Sequence, residues 1–530
     1  MSSTTNSSPV EPVSLDELLL RQVAERPDAL AIADAPNRAE FLAGDVSRWT
    51  WVQVNAAVDT MVGRLVAAGA NPGSVVAVQL PNSVELAATL LACFRLGAVC
   101  VPFPVQHREH ELQHGFSLTE PKVFVTAQRP DREDQLDIVD RAVDASGRAV
   151  TVLDILAPSG DLPLDPPTGP TQFDEVATIC WTSGTTGTPK GVPRKVSMWL
   201  ASGGFQVDRL GLGSDDRILC PFPLVNMAGI GGILIPWLMT GSTIHLHQPL
   251  NLPVFLQQVA VEQITYTVAP PAILNMLLLR KDEIDLSVFA SLRKITSGAA
   301  PLDPWMVEGW AERDIEIVNV FGSNEGAALL STADVMPDPA TRAQCFPQPD
   351  PVIVETRLVD LATGEEITEV GIHGELRFRG STVFEGYLES TGEEFDDQDF
   401  YRTGDVFEWV DYDSDPRLMR FVDRAKDIVV RGGMNISAAE VEALVVGTGL
   451  MSECAVIGIP DVELGERVGL VGVAAGEAAP SLDDVVSKLR EVGIASYKLP
   501  EELQLVDVLP RNPVGKVVKA DLRAGWQVEG

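Results

Sequence analysis

The stretch "CWTSGTTGTPKGV" at residues 180–192 combines three glycines, five hydroxyl side chains and a single lysine, Lys190. Glycine lets backbone N–H groups turn toward an anion because no Cβ stands in the way. The residues that lead into it, "EVATICW" (175–181), predict a buried strand. Pro189 stands where the phosphate loop G-x-x-x-x-G-K-[ST] needs its second glycine. The stretch therefore predicts a phosphate-binding loop of another type.

The whole chain is strongly acidic. Asp and Glu number 75 against 40 Lys and Arg, which gives the 530 residues a formal net charge of −35. Such a field repels DNA, RNA and anionic lipid, so we expect no nucleic-acid partner. An anionic substrate must instead meet a local concentration of Lys, Arg and backbone N–H groups. The 45% of hydrophobic residues is typical of a soluble globular protein with several domain-sized units.

Neither the cysteines nor the histidines predict a metal site. The six cysteines are scattered without a C-x-x-C pair. His245 and His247 in "STIHLHQ" would face one side of a strand, but two ligands are too few for a zinc site. Residues 1–13 form a polar tail that we expect to be disordered and that lacks the pattern of a secretory signal. No apolar stretch is long enough for a transmembrane segment, so we expect a cytoplasmic protein.

Residues 14–424 alternate between helical and strand patterns. The segment "SVELAATLLACFRLGAV" (83–99) has leucines at helical spacing, which predicts a helix. The segments "SVVAVQLP" (74–81) and "KVFVTA" (122–127) are short β-branched runs bounded by turn residues, which predict strands. This alternation predicts an α/β fold class, with a large N-terminal domain of mixed α/β subdomains and mostly parallel sheets.

Residues 425–530 follow a different pattern and predict a small α+β domain. The segments "CAVIGIPD" (454–461) and "RVGLVGVAA" (467–475) predict strands. Between them and the chain end, "SLDDVVSKLREVG" predicts a helix whose N-cap is Ser481 and whose apolar face contains Val485, Leu489 and Val492. The charged segment 422–433, which ends in Gly-Gly, marks the predicted boundary.

Further motifs follow the phosphate stretch in a fixed order. They are "SGAAPL" (297–302), "NVFGSNEG" (319–326), "GELRFRG" (374–380), "YRTGD" (401–405), "DRAKDIVVRGGMNISAAEVE" (423–442) and "PRNPVGKVVK" (510–519). Together with "TSGTTGTPKG" (182–191), this series resembles the adenylate-forming superfamily, which includes acyl-CoA synthetases, adenylation domains of nonribosomal peptide synthetases and luciferases. The resemblance spans roughly residues 15–525. It implies ATP and coenzyme A as co-substrates and Mg²⁺ as a cofactor.

The resemblance implies a role for each matched residue of the nucleotide site. The β- and γ-phosphates are expected at Thr182, Ser183, Gly184, Thr185, Thr186, Gly187 and Lys190. Glu325 matches the magnesium-binding glutamate, and the adjacent Asn324 stands where the family usually has a phosphate-contacting threonine. The adenine ring is expected among Gly298, Ala299, Ala300, Asn319, Phe321 and Gly322. Asp405 and Arg424 match the residues that bind the ribose hydroxyls.

The same resemblance divides the chain into an N-terminal adenylation domain (14–424) and a mobile C-terminal domain (425–530). Lys516 matches the lysine that bridges the substrate carboxylate and the α-phosphate. Lys426 matches the hinge at which the C-terminal domain rotates between half-reactions. Gly433 matches the glycine that lets the pantetheine arm pass.

The acyl pocket is expected around five residues: Asn226, Met227, Gly231, Ser297 and Ser323. Asn226 replaces a common histidine or aromatic residue and could bond a polar group of the acid. The stretch "VPFPVQHREHELQH" (101–114) resembles synthetases for cyclic and aromatic acids. It could equally be a capped helix start, with Glu109 and Glu111 in the first turn.

The sequence thus predicts an ATP-dependent carboxylic acid:CoA ligase for an alicyclic, aromatic or medium-chain acid. One alternative is a stand-alone adenylate ligase that loads a carrier protein or another nucleophile. A more remote alternative is a nucleotide- or acyl-binding homologue without catalytic activity. We expect a monomer or a homodimer.

Overall fold

The structure is a computed structural model. It describes residues 12–163, 166–182, 189–298, 300–411, 418–431, 434–461, 464–476, 478–492, 494, 496–511 and 517–526. The chain divides into two compact units. Unit one comprises Met1–Glu355 and Phe378–Tyr401, and unit two comprises Thr356–Arg377 and Arg402–Gly530.

Helices cover the sheets of unit one. The α-helices are α1 (Leu15–Glu25), α2 (Trp51–Ala67), α3 (Val84–Leu96), α4 (Glu109–Thr119), α5 (Gln135–Ser146), α6 (Val196–Leu210), α7 (Ile235–Thr240), α8 (Leu252–Val261), α9 (Pro271–Leu279), α10 (Pro304–Ala311) and α11 (Pro339–Gln344). A π-helix, Met227–Leu234, leads directly into α7. Two short 3₁₀ helices cover Arg38–Glu40 and Leu286–Phe289.

Two sheets form the centre of unit one. Their strands are β1 (Leu30–Ala33), β2 (Arg48–Thr50), β3 (Val75–Val78), β4 (Val99–Pro102), β5 (Val123–Thr126), β6 (Thr151–Asp154), β7 (Val176–Trp181), β8 (Gly191–Lys195), β9 (Arg217–Cys220), β10 (Thr243–Leu246), β11 (Tyr266–Val268), β12 (Lys294–Gly298), β13 (Glu316–Ser323) and β14 (Gly326–Ser331). Strand β15 (Cys345–Pro347) follows along the chain.

Most strand pairs in these two sheets are parallel. The eight-stranded sheet runs β14-β13-β12-β11-β9-β10-β1-β2, and the six-stranded sheet runs β6-β5-β3-β4-β7-β8. Only the outermost pairs β13–β14, β1–β2 and β7–β8 are antiparallel within these two described sheets. Helices connect most successive parallel strands, because a parallel partner needs a crossover connection. The predicted α/β class with mostly parallel sheets is confirmed.

Several predicted elements of unit one form as expected. The helix predicted at 83–99 is α3, which begins after Ser83, whose hydroxyl accepts the Leu86 N–H at 3.2 Å. It ends at Gly97, whose φ of 75° is in the left-handed region that favours glycine. The predicted strands at 74–81 and 122–127 are β3 and β5.

The second part of the chain contains more strands than helices among its described residues. Its strands are β16 (Val354–Val359), β17 (Glu366–Ile367), β18 (His373–Gly380), β19 (Tyr401–Val410), β20 (Leu418–Arg424), β21 (Val429–Arg431), β22 (Met434–Ile436), β23 (Met451–Asp461), β24 (Gly465–Ala474) and β25 (Glu502–Leu505). Its helices are α12 (Ala438–Gly447), α13 (Leu482–Val492) and α14 (Lys519–Gly525). Strands β22, β21, β24 and β23 are neighbours in that order, and β25 pairs with β24 in parallel.

In helix α13, one residue of the predicted apolar face lies outside the core. Ser481 precedes the helix and its hydroxyl accepts the Asp484 N–H at 3.2 Å, as an N-cap does. Val485 and Leu489 are fully buried, but Val492 is 57% exposed. Val492 is the last residue of the helix, so the apolar face that was predicted to include it has already left the core there.

The compact units do not coincide with the predicted boundary near residue 424. Residues 356–377 group with residues 402–530 by their contacts. The predicted boundary marks the place where the mobile C-terminal domain is expected to begin. This boundary and the hinge at Lys426 remain predictions. In the part of the chain that the structure describes, no helix is both long and apolar enough to cross a bilayer.

Candidate active site

Strands β7 and β8 hold the base of the phosphate stretch. They pair antiparallel, with Trp181 opposite Gly191. Just beyond this pair, the Thr182 N–H donates to the Lys190 carbonyl oxygen at 3.0 Å. The Lys190 N–H donates in turn to the Thr182 hydroxyl at 3.0 Å. The remaining predicted phosphate residues lie outside the described residues: Ser183, Gly184, Thr185, Thr186 and Gly187.

Glu325 lies at the turn between β13 and β14 and is 8% exposed. Its backbone carbonyl accepts the Phe384 N–H at 2.7 Å and a guanidinium N–H of Arg194 at 3.2 Å. Its carboxylate oxygen Oε1 accepts the hydroxyl of Tyr387 at 2.8 Å. Both the backbone and the carboxylate of Glu325 are therefore fixed by neighbouring side and main chains.

Tyr387 also contacts the lysine of the phosphate stretch. The Lys190 Nζ lies 4.5 Å from the centre of the Tyr387 ring, within cation–π range. The next residue, Leu388, donates its N–H to the Gly191 carbonyl at 3.0 Å. Tyr387 was not among the residues predicted from the sequence. The signal was the segment "FEGYLES" (384–390), which follows the motif "GELRFRG", but a single tyrosine does not reveal its partners.

Arg194 was also missed. It is fully buried in β8, and its guanidinium lies 5.0 Å from the centre of the Trp199 ring. Burial lowers the pKa of Arg194 to about 10, which still leaves the group charged at neutral pH. Arginine is almost never fully buried unless it is paired, so the sequence pattern gave no reason to single it out.

The donor set around Glu325 fits magnesium. Mg²⁺ in nucleotide sites keeps several waters and takes one or two carboxylates together with phosphate oxygens. Glu325 supplies one buried carboxylate beside the phosphate stretch. Among the described residues, no group of three or more His, Cys, Asp or Glu side chains is placed to hold a metal by itself. His247, one of the two histidines considered from the sequence, contacts the Gln258 side chain at 2.7 Å.

The predicted adenine wall lies where β12 and β13 run in parallel. Gly298 pairs with Val320, and a Cβ on Gly298 would lie 2.1 Å from the Val320 carbonyl oxygen, so only glycine fits. The Asn319 amide donates to the Ala343 carbonyl at 2.8 Å, and the Phe321 ring packs edge-on against Phe346. Ala300 and Gly322 are exposed, whereas Ala299 lies outside the described residues.

Asn324 joins the phosphate strand to the predicted acyl pocket. Its amide N–H donates to the Trp181 carbonyl at 2.8 Å, and its amide oxygen accepts the Met227 N–H at 2.8 Å. Asn226 caps the π-helix that Met227 begins, because its side-chain oxygen accepts the Gly229 N–H at 3.1 Å.

The other predicted pocket residues lie near these elements. A Cβ on Gly231 would lie 2.7 Å from the Met227 sulfur and 3.0 Å from the Trp199 ring. The Ser297 hydroxyl donates to the Ala269 carbonyl at 2.8 Å, and Ser323 pairs with Gly326 across the β13–β14 turn. Of the predicted pocket residues, Met227 and Gly231 lie in the π-helix, and Asn226 caps it.

Unit two brings the two predicted ribose residues together. Asp405 on β19 pairs with Arg424 on β20, and their side chains form an ion pair at 2.6 Å. Asp405 is 5% exposed, and its N–H donates to the Thr403 hydroxyl at 2.9 Å. Gly404 has a φ of 68°, which turns the chain so that its N–H reaches the Glu375 carboxylate at 3.1 Å.

Lys426 lies two residues after Arg424 in the sequence and is exposed. Its carbonyl accepts a guanidinium N–H of Arg523 at 3.0 Å. Partial loss of solvent around the ammonium group, with positive charges on Arg424 and Arg523 nearby, lowers the pKa of Lys426, while Asp427 opposes the shift. The predicted pantetheine-passage residue Gly433 and the predicted catalytic residue Lys516 lie outside the described residues.

Comparison with known proteins agrees with the motif series. The AMP-binding enzyme family matches residues 19–388, and the AMP-binding enzyme C-terminal domain matches residues 440–516. The chain is 32% identical to an indoleacetate–CoA ligase of Aromatoleum aromaticum over 89% of this chain and 92% of the relative. It is 30% identical to a feruloyl-CoA synthase of Amycolatopsis over 89% of this chain and 93% of the relative.

Solved structures share the fold over almost the whole chain. ATP-bound MatB from Rhodopseudomonas palustris superposes with a TM-score of 0.80 at 25% identity, covering 97% of this chain and 99% of MatB. The o-succinylbenzoate CoA synthetase of Bacillus subtilis gives 0.81 at 22% identity over 98% and 99%, which supports the fold alone. The chain therefore belongs to the adenylate-forming superfamily, as an AMP-binding enzyme of the group that includes the acid–CoA ligases.

Proposed function

We propose that this chain is an ATP-dependent carboxylic acid:CoA ligase that works through an acyl-adenylate. The observation that carries the proposal is the arrangement around Tyr387, where a lysine of the phosphate stretch and the buried Glu325 carboxylate meet one side chain. The relatives named as CoA ligases for indoleacetate and ferulate support the same reaction.

In the first half-reaction, a carboxylate oxygen of the acid attacks the α-phosphorus of ATP. The bond from that phosphorus to the bridging oxygen breaks, and pyrophosphate leaves with the electron pair. Because two anions must approach, catalysis is mostly positioning and charge neutralisation. Thr182 and Lys190 would bind the β- and γ-phosphates. Mg²⁺, when bound, supplies further positive charge there, and Glu325 is the residue that would hold it.

The adenosine part of ATP is assigned to residues that the motif series predicts for the nucleotide. Phe321 and the backbone at Gly298 would enclose the adenine ring. The Asp405 carboxylate would accept hydrogen bonds from the ribose hydroxyls, and the guanidinium of Arg424, which forms an ion pair with Asp405 at 2.6 Å, would also reach the ribose. Lys516 would bridge the acid carboxylate and the α-phosphate, so that the two reacting atoms approach.

In the second half-reaction, the sulfur of coenzyme A attacks the acyl carbonyl carbon. The bond from that carbon to the phosphate oxygen breaks, AMP leaves with the electron pair, and the thiol proton passes to solvent. Gly433 would leave room for the pantetheine arm. Lys426 would absorb the backbone change that exchanges one half-reaction for the other.

The acid is assigned to the alicyclic, aromatic or medium-chain class. The relatives include ligases named for indoleacetate, ferulate and medium-chain fatty acids.

A pyrophosphate-release assay over graded acids tests the proposal. We expect release with an aromatic, alicyclic or medium-chain acid, and formation of the acyl-CoA when coenzyme A is added. A phosphopantetheinyl carrier protein in place of coenzyme A tests the carrier alternative. Release with an acid but thioester only on the carrier would favour that alternative, and ATP binding without release for any acid would leave a non-catalytic homologue.

A further inference from the structure

One side chain of unit one touches both charged groups that are expected to face the phosphates of ATP. The Tyr387 hydroxyl donates to Glu325 Oε1 at 2.8 Å, and the Lys190 ammonium lies 4.5 Å above the Tyr387 ring. The hydroxyl also lies 3.2 Å from the hydroxyl of Tyr401. Neither the motif series nor the charge pattern of the sequence singles out this tyrosine.

The backbone around Tyr387 is attached to the same two places. Phe384 donates its N–H to the Glu325 carbonyl at 2.7 Å, and Leu388 donates its N–H to the Gly191 carbonyl at 3.0 Å. The segment 384–388 therefore spans from the β13–β14 turn to the base of the phosphate stretch. Tyr387 lies within this segment, next to Leu388, so its ring and hydroxyl are held close to Lys190 and Glu325.

The chemistry of the tyrosine suits this position. A tyrosine hydroxyl can donate a hydrogen bond to a carboxylate, and the Tyr387 hydroxyl does so to Glu325 Oε1. A hydrogen bond to a carboxylate is among the stronger ones in proteins and favours one orientation of the group. The ring face attracts the lysine cation by its quadrupole.

We propose that Tyr387 is a positioning residue that fixes the Glu325 carboxylate relative to the Lys190 ammonium, so that one magnesium-bound triphosphate meets both. The proposal rests on the proposed function, since it assumes that Glu325 faces Mg²⁺ and Lys190 faces phosphate. It assigns separate tasks to the two parts of the side chain. The hydroxyl acts on the magnesium side, and the ring acts on the phosphate side.

Two substitutions separate these tasks. Tyr387→Phe removes the hydroxyl and keeps the ring beneath Lys190. Tyr387→Leu removes both. Calorimetric titration of the full chain with ATP, at graded Mg²⁺ and without any acid, measures binding in the absence of turnover. A wild-type chain that binds ATP without any effect of Mg²⁺ would refute the proposed function itself, apart from the role of Tyr387.

The expected results follow from the contacts. Tyr387→Phe should raise the Mg²⁺ concentration for half-maximal effect about tenfold, the loss expected for a hydrogen bond to a charged group, and leave magnesium-free ATP affinity unchanged. Tyr387→Leu should weaken both. Tyr401→Phe serves as the matched control, because it removes a nearby hydroxyl while the Tyr387–Glu325 bond remains. Its Mg²⁺ dependence should match the wild type.

A double-mutant cycle completes the test. In a Glu325→Gln background, adding Tyr387→Phe should change Mg²⁺ dependence no further, because the hydroxyl acts through the carboxylate. Wild-type Mg²⁺ dependence in Tyr387→Phe, or an equal loss in both backgrounds, overturns the proposal. If Tyr387→Phe does not fold, 3-fluorotyrosine at position 387 replaces it. Its fluorine resonance must then shift more with magnesium and ATP than with ATP alone, and an equal shift overturns the proposal.

Discussion

At the scale of single residues, Asn324 uses both ends of its amide group within the protein. The amide N–H bonds the Trp181 carbonyl and the amide oxygen bonds the Met227 N–H, each at 2.8 Å. Asn324 stands where the family usually has a phosphate-contacting threonine. Its bonds within the protein join the strand that leads to the phosphate stretch with the π-helix of the predicted acyl pocket.

Asn324→Thr should therefore act on the acid more than on ATP. A threonine hydroxyl is too short to bond both segments, and each lost hydrogen bond weakens the attachment of the π-helix by about 1 kcal/mol. We expect KM for the acid to rise roughly five- to tenfold, with little change in KM for ATP. Steady-state kinetics with each substrate varied in turn measures both constants. A selective rise in KM for ATP would instead support the phosphate contact.

At the scale of secondary structure, Gly298 lets β12 and β13 approach in parallel at the predicted adenine wall. A Cβ there would lie 2.1 Å from the Val320 carbonyl oxygen, so Gly298→Ala must push the strands apart. We expect a loss of about 1–3 kcal/mol in the free energy of unfolding and weaker ATP binding. Denaturant unfolding and ATP titration measure the two effects.

Gly213→Ala is the matched control for this prediction. No heavy atom lies within 4 Å of a Cβ at Gly213, and its φ lies outside the left-handed region. The substitution should leave both stability and ATP binding close to the wild type. An equal effect of the two substitutions would show that close strand approach at Gly298 is not what requires glycine.

His245 on strand β10 is expected to make the free energy of unfolding depend on pH. His245 is 1% exposed, and burial lowers its pKa well below the ordinary value, although Glu262 opposes the shift. The unfolded chain binds a proton near pH 6.5 while the folded chain does not, so the free energy of unfolding falls as the pH falls below that value. We expect a loss of about 2 kcal/mol between pH 6.5 and 4.5 from this residue.

Denaturant unfolding at several pH values checks this prediction against His245→Gln. Acidic side chains titrate in the same range in both proteins, so the difference between their pH slopes isolates the histidine. The variant should lose less stability than the wild type as the pH falls. Parallel slopes would mean that His245 takes up its proton equally well in the folded chain.

Local patterns predicted the elements of this fold better than its contacts. The strand before the phosphate stretch and helix α3 follow from apolar runs and caps that are encoded within a few residues. Val492 belongs to the predicted apolar face of its helix but is 57% exposed, because helical spacing does not show where a helix leaves its neighbours. Tyr387 and Arg194 were missed because their partners are distant in sequence, as Glu325 is from Arg194.

At the scale of the whole molecule, an acidic chain must place positively charged side chains where its anionic substrates react. Of 40 Lys and Arg residues, the proposed reaction assigns Lys190 and Lys516 to the phosphates and the reacting carboxylate. Removing such a charge should affect the half-reaction that it serves. Lys516→Ala should therefore abolish acid-dependent ATP–pyrophosphate exchange. Unchanged exchange would contradict the role proposed for Lys516.

The second half-reaction should fail separately. Gly433→Trp should spare acid-dependent ATP–pyrophosphate exchange and block thioester formation, because the bulky side chain would obstruct the pantetheine arm. Exchange assays and acyl-CoA formation, measured on one preparation, compare the two steps. Equal loss of both steps would contradict the passage role proposed for Gly433.

The transfer of ¹⁸O from a labelled acid to AMP tests the central proposal most directly. If a carboxylate oxygen attacks the α-phosphorus, that oxygen stays with the phosphorus when coenzyme A displaces AMP. Mass spectrometry of the products should then find one ¹⁸O atom in AMP and none in pyrophosphate. Label in inorganic phosphate together with ADP, or unlabelled AMP, would contradict an acyl-adenylate mechanism for this chain.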